Sequence, residues 1–533
     1  KDVRLVGAPP SSVGKYGGDT DNWMWPRHTG DFSMFRIYSD ADGNPSEISE
    51  DNVPLTPKHH LPVSLNGVKE GDFSMVFGFP GSTDRFLTST GIDQAISLYN
   101  PSVVEIRAQK LAIMKEAMDA DDAVRIALAS NYASTANYWK YFIGQTEQLK
   151  KNRVKAKKEA IEARYLEWAN ADASRSDYAN ALDLLNEAYA STDATVKNGV
   201  YLMEAGIRGA SMPLYAFRLA RMLGALSSSE DLEGDKAAVI AYAENHFAEY
   251  QAEVDRNLAQ ALWSMWMKNT TVDQQPSIFT EVRDSMGGDV SILVTDVYDN
   301  SIYASQEALE AWLVDMDADV LAADAGGRVS SSFLAAYFGA QSGNAEVSEK
   351  MDKGYRLFTD GLRKAMPEKT FAPDANSTLR MSWGVVGAYD PQDAVHYDYV
   401  TTIEGVMQKE DPSNDEFVVP AKLKELYTAK DYGQYEDENG DLVVNFISNN
   451  DITGGNSGSP VINADGHLIG TAFDGNWEAM SGDIFFEDQL QRTISVDIRY
   501  TLFIIDKYAG ASHLIDEMTV VKGKTKKKRK KRK

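Results

Sequence analysis

The chain contains no cysteine. That excludes disulfides, thiolate catalysis and cysteine-based zinc sites, and it fits either redox compartment. Long apolar runs are missing too. A stretch such as "YTLFII" (Tyr500 to Ile505) is far too short to cross a bilayer, which takes ~20 residues in a helix. The opening "KDVRLVGAPP" has neither an initiator methionine nor an apolar leader, as expected of a chain that begins mid-protein. Histidine is scarce, with seven in 533 residues: His28, His59, His60, His246, His396, His467 and His513. Basic residues are sparse over most of the length. There are 54 Lys+Arg against 79 Asp+Glu, for a formal net charge of −25. Ten of the 54 fall between Lys522 and Lys533, in "KGKTKKKRKKRK". The rest of the chain is therefore strongly acidic, stays soluble and repels phosphate backbones.

Apolar residues make up 43% of the composition, enough for a large core. The length corresponds to roughly two to four domains. Residues 1–88 read as β-rich: "FSMFRIYSD" alternates and ends in a turn, and "FSMVFGFPG" is a strand stopped by Gly and Pro. From 89 to 375 helical periodicity dominates. Asn100-Pro101 predicts a helix start, and Leu111, Met114 and Met118 recur on one face. No fixed period repeats, so a bundle is expected rather than a solenoid. Strands return over 376–520, in "RMSWGVVGAYD", "DLVVNFISNND" and "SPVINADGHLIGTAFDG", the last with a hairpin turn at Asp465-Gly466. A closing helix follows, and 521–533 reads as a basic disordered tail. The plan is β, then α, then β, consistent with one β domain interrupted by helices.

The stretch "TGGNSGSPV" (Thr453 to Val461) places Ser457 among glycines. A serine hydroxyl needs a base, a carboxylate to orient that base, and N–H donors for the oxyanion. Gly454 and Gly455 allow a turn that aims the N–H groups of Gly455 and Ser457 at one point. Ser459 breaks the G-x-S-x-G elbow of α/β-hydrolases. The pattern resembles the G-D-S-G-G-P of chymotrypsin-like peptidases, with Asn456 for Asp and Ser459 for Gly. Locally, a nucleophile and a plain Gly/Ser turn fit equally well.

Three longer stretches extend the resemblance: "GKYGGDTDNWMWPRHTGDFSMFR", "TGGNSGSPVINADGHLIGTAFDGNWEAMSGD" and "QRTISVDIRYTLFIIDK". Together they resemble the bacterial serine dipeptidyl-peptidases of the seven and eleven type, over nearly all of the chain to about Met518. The resemblance implies a chymotrypsin-like double β-barrel with a large inserted α-helical domain, the first barrel being incomplete here. It implies release of N-terminal dipeptides from oligopeptides with a free N-terminus, no cofactor, no metal, and a periplasmic or cell-envelope location in a bacterium. Ser457 matches the nucleophile and Asp31 the triad carboxylate. Asn22, Trp23 and Asn137 match contacts to the substrate's amino end, and Asp474 matches the carboxylate that pairs with the α-ammonium. Gly475 stands where the acidic-specific branch carries Arg, which points to a hydrophobic residue before the scissile bond. The family's histidine belongs to an N-H-H-C-like stretch upstream of the "GGDTDNW" motif, and none of the seven histidines matches it. The chain read alone is thus expected to be inactive and, as half a barrel, to expose strand edges prone to aggregation.

Blander readings stand beside these. Asp19, Asp21 and Asp31 lack the spacing of a cation loop. One of Trp23 and Trp25 can be core. His28 reads as structural, and His59-His60 as a loop pair. The tail is either a solvated extension or an electrostatic tether to nucleic acid or an anionic surface, and apart from the tail no nucleic-acid partner is expected. A non-catalytic peptide-binding protein is the alternative function, and a homodimer is possible.

Overall fold

The computed structural model describes residues 1–343 and 345–523. The basic run from Lys524 onward, most of the predicted tail, lies outside the described residues. Residues 521–523, just before it, contact the first unit. Val520–Val521 pairs in parallel with Val63–Ser64, and the Gly523 N–H donates to Asn66 Oδ1 at 2.7 Å. The chain forms two units, one of Lys1–Arg85 with Ala372–Lys533, the other of Phe86–Phe371.

The first unit is built on a nine-stranded, curled sheet. Its main path runs Arg380–Val385, Phe73–Gly78, Ser459–Ile462, Leu468–Gly475, Thr493–Asp497, Val443–Ser448, Val400–Thr402. Strands from both ends of the sequence therefore share one ladder: Val461 pairs with Val76, and Met75 with Trp383. The hairpin at Asp465-Gly466 forms as expected, with Gly466 at φ +81°. The inner face packs Val76, Phe446, Val461, Ile469 and Ala472 into one cluster. A second cluster gathers Tyr500, Leu502 and Phe503 of the closing helix over Val444 and Val496. A separate three-stranded sheet joins Asp2–Gly7, Met34–Ser39 and Val53–Pro54. Its register pairs Val3 with Ile37 and Leu5 with Phe35, and all four are exposed. Met381, Trp383 and Val385 are exposed as well. Apolar faces of this kind attract partners or other copies.

The second unit is helical, with long segments such as Asn100–Ala120, Asp122–Lys151 and Met212–Leu226. Its core holds Trp263, Trp266, Phe279 and Phe333, with Trp266 and Phe333 rings 5.2 Å apart. One expectation needs correcting here. Asn100-Pro101 does not begin a helix. The helix starts at Ser89, capped by Thr88, and passes through a π-helical turn, Ala95–Tyr99, into Asn100–Ala120. The wide turn just before Pro101 suits a residue that has no N–H to donate and whose ring crowds the carbonyl four residues back in a regular helix. Asn100 is buried and ties two helices together, donating to Gln145 Oε1 and Thr146 Oγ1 at 3.0 Å each. Among the described residues no helix is long and apolar enough to cross a membrane.

Candidate active site

Residues 21–31 carry two tryptophans, a cis Trp25-Pro26 bond and almost no regular structure. Side-chain bonds fix the segment instead. Arg27 is the hub: it donates to Asp21 O at 2.7 Å, Thr29 Oγ1 at 2.7 Å and Asp474 Oδ2 at 2.8 Å. Thr29 donates its N–H to Asn445 Oδ1 of the sheet at 2.9 Å, and Thr401 Oγ1 donates to Arg27 O at 2.6 Å. Lys409 holds Asp21 Oδ2 at 2.8 Å, so Asp21 belongs to a structural ion pair. Among the described residues no acidic or histidine cluster could hold a metal ion. Trp25 is the core tryptophan, buried beside Tyr389, Ile447 and Ile494, with Nε1 donating to Asp398 O at 3.0 Å.

Trp23 is different. It is half-buried and sits at φ +63°, a region that bulky residues avoid. Its N–H donates to Asp474 Oδ2 at 3.1 Å, the same oxygen that Arg27 holds. The Arg27–Asp474 pair is 9% exposed on each side. The buried ion pair thus holds a residue in a backbone conformation that costs energy. Sequence reasoning named Trp23 and Asp474 but missed Arg27, whose only local signal is its place in "WPRHTGD".

The Ser457 turn sits at the end of the strand Ser459–Ile462. Asn456 is buried; its Oδ1 accepts the Thr453 N–H at 3.1 Å and its carbonyl accepts the Ser459 N–H at 2.9 Å. Gly81 N donates to Gly454 O at 2.7 Å, and Gly458 N to Ala472 O at 2.8 Å. So Asn456, in place of the usual Asp, braces the turn. Ser457 is exposed, with Oγ donating to Phe473 O at 3.2 Å. The N–H groups of Gly455 and Ser457 reach no acceptor among the described residues. Phe473 joins the two halves of the site: its carbonyl meets Ser457, and its ring lies under the Arg27 guanidinium, 5.1 Å away.

Asp31 is open to solvent at its edge and takes no hydrogen bond from a described residue. Desolvation by the protein around it raises its carboxyl pKa, Arg27 opposes this, and nearby Asp474 adds to it. Gly475 is buried rather than roomy: a Cβ there would lie 3.1 Å from Ala479 Cβ and 3.4 Å from the Trp23 ring. Asn137 belongs to the helix Asp122–Lys151 of the other unit and is half-buried.

Two histidines of this unit are engaged elsewhere. His60 Nε2 meets Thr519 Oγ1 at 2.8 Å, and His396 Nδ1 meets Asp390 at 2.8 Å. His28 is buried against Gly405, its Nδ1 without a partner. Burial, with Lys409 and Arg27 adding, lowers its pKa to about 3. The folded state then binds fewer protons than an unfolded chain with an ordinary imidazole. Stability is full above pH ~6.5 and falls as pH drops toward 3, by ~1.4 kcal/mol per unit. Urea titrations are expected to lose about 2 kcal/mol from pH 6.5 to 5, and His28→Gln should flatten that slope.

The Peptidase S46 family model matches residues 1–520. The chain is 43% identical over 527 residues to "Dipeptidyl-peptidase 7" of Phocaeicola vulgatus, covering 98% of this chain and 72% of that protein. It is 39% identical over 524 residues to the "Asp/Glu-specific dipeptidyl-peptidase" of Porphyromonas gingivalis, again covering 98% and 72%. The solved structure of Porphyromonas endodontalis DPP11 in complex with the dipeptide Arg-Glu is similar, with a TM-score of 0.90 at 37% identity. That match covers 98% of this chain and 75% of that one.

Proposed function

This chain belongs to the peptidase S46 family and is a serine dipeptidyl-peptidase, and we propose that Ser457 is its nucleophile. The observation that carries this reading is the braced turn: an exposed Ser457 hydroxyl, with the N–H groups of Gly455 and Ser457 lacking an acceptor among the described residues. On this reading those N–H groups, of Gly455 and Ser457, receive the developing oxyanion. Asp31 is the carboxylate that orients the base. We read the curled sheet as the nucleophile-bearing barrel of a chymotrypsin-like pair, and the protein as acting in the bacterial periplasm or envelope.

Asp474 anchors the peptide's α-ammonium, with Asn22 and Trp23 as the remaining contacts in this unit. Arg27 neutralises Asp474 in part, and Asp31 restores net negative charge beside it, so the pocket still favours a cation. Gly475 brings no charge and leaves the Trp23 ring as the nearby surface, which suits a hydrophobic residue before the scissile bond.

Expressed alone, these 533 residues are expected to bind peptides with a free N-terminus but not to cleave them, because no histidine here is partnered with Asp31 or Ser457. A hydrophobic dipeptidyl reporter and its N-acetylated form test both halves. The free form should bind more than tenfold better, and neither should be hydrolysed. Reporter release that disappears in Ser457→Ala would show that one of the histidines present serves as base.

A further inference from the structure

The helical unit Phe86–Phe371 carries an open cavity of about 540 Å³. Residues of Asn100–Ala120, Asp122–Lys151, Met212–Leu226, Leu232–Phe247 and Ala252–Asn269 line it. No residue named in the candidate active site belongs to it.

One wall is an aromatic stack. Tyr215 and His246 lie parallel, 8° apart with centroids at 3.8 Å, and Tyr242 stacks on Tyr215 at 5.9 Å. Tyr215 is 3% exposed, yet its hydroxyl has no hydrogen-bond partner among the described residues. His246 Nε2 has none either. Burial lowers the His246 pKa, which leaves the ring neutral at pH 7 and its Nε2 a donor or acceptor by tautomer. Both atoms are shut off from the open space, so what the stack offers the cavity is aromatic surface rather than hydrogen-bonding groups.

The charges lining the cavity are not balanced. Arg208 and Arg218 make no ion pair or hydrogen bond through their guanidinium groups with any described residue. Lys110 Nζ donates to the neutral Arg208 carbonyl at 2.9 Å. Of the two carboxylates, Asp255 is already satisfied. It accepts the Ser211 N–H at 2.5 Å, the Met212 N–H at 3.2 Å, and the hydroxyls of Tyr250 and Tyr298 at 3.1 and 2.8 Å. Asp255 keeps its charge, so three cations face two carboxylates, Asp255 and Glu249, in the lining.

We propose that this cavity binds a small carboxylic acid with an aromatic or apolar body. The carboxylate pairs with Arg208 and Arg218, and the body lies against the Tyr215–His246 stack. Arginine suits the role because its planar fork matches a carboxylate. The amino end of the ligand is not what is read here, so an N-acetylated acid fits this cavity while it cannot use the anchor proposed at Asp474.

Calorimetric titration of the 533-residue chain with N-acetyl-phenylalanine, and with its C-terminal amide, tests the inference. One site in the micromolar-to-millimolar range is expected for the acid, and binding at least about tenfold weaker for the amide. The Arg208→Gln/Arg218→Gln double variant should weaken the acid by about tenfold or more, with an unchanged urea midpoint, since both residues are exposed and unpaired. Asp474→Asn should leave it unchanged. Equal binding of acid and amide overturns the proposal, as does indifference to the double variant or no binding at about 10 mM. Loss of binding in Asp474→Asn would place the acid in the peptidase site and overturn it equally.

Discussion

Replacing Gly455 with alanine is expected to cost the first unit about 3 kcal/mol or more, whereas Gly454→Ala should stay within about 0.5 kcal/mol. The two glycines are adjacent and chemically identical, so the difference isolates backbone geometry. Gly455 sits at φ +104°, outside even the left-handed helical region that other residues visit. A Cβ there would collide with the Phe79 carbonyl oxygen and come within 3.0 Å of Gly81 N. Both obstacles are backbone, so neither can rotate away. A Cβ at Gly454 meets nothing within 4 Å, and its φ is not positive. Urea denaturation of the two variants measures the contrast. The functional consequence follows from the same bonds. To seat the added methyl group the turn must move off Phe79–Gly81, which breaks the Gly81 N to Gly454 O bond and shifts the backbone on either side of Ser457. Comparable stability of the two variants would mean that the turn is not held as described.

What the sequence made legible was periodicity and local chemistry. The strand Phe73–Gly78 and the hairpin around Gly466 follow from alternation and turn residues, and the bracing at Ser457 grows from a motif only nine residues long. Hidden features are those whose cause lies far along the chain. The Arg27–Asp474 pair spans 447 residues, and the Lys409–Asp21 pair spans 388. No window read along the sequence contains both members. The same limit explains Trp23 and Trp25. Their alternation suggested a strand, but what separates them is a carboxylate from a distant hairpin that pulls the Trp23 backbone to positive φ. Asn100-Pro101 fails for a different reason. Cap and proline signals mark a helix start only where the chain upstream is not already helical, and the π-helical turn there leaves no local signature.

Asp474→Ala is expected to be the most damaging single change near the site. Arg27 would keep its bonds to Asp21 O and Thr29 Oγ1 but lose its counter-ion while 9% exposed, and an uncompensated buried charge of this kind costs about 3–5 kcal/mol. Trp23 would lose the acceptor that offsets its strained φ. Asp474→Asn separates the two effects. The amide can still accept the Trp23 N–H, so the loop should hold better, while the charge is gone. Stability should therefore rank wild type, Asn, Ala. Binding of a free N-terminus should not follow that order: if the carboxylate's charge is what the α-ammonium reads, Asn and Ala lose about 2 kcal/mol alike, roughly 30-fold. Adding Arg27→Met to Asp474→Asn provides the control, because it removes the stranded cation and should recover stability without recovering binding. Recovery of both would assign Asp474 to holding Arg27 alone and move the amino-end anchor to Asp31, the remaining carboxylate beside it.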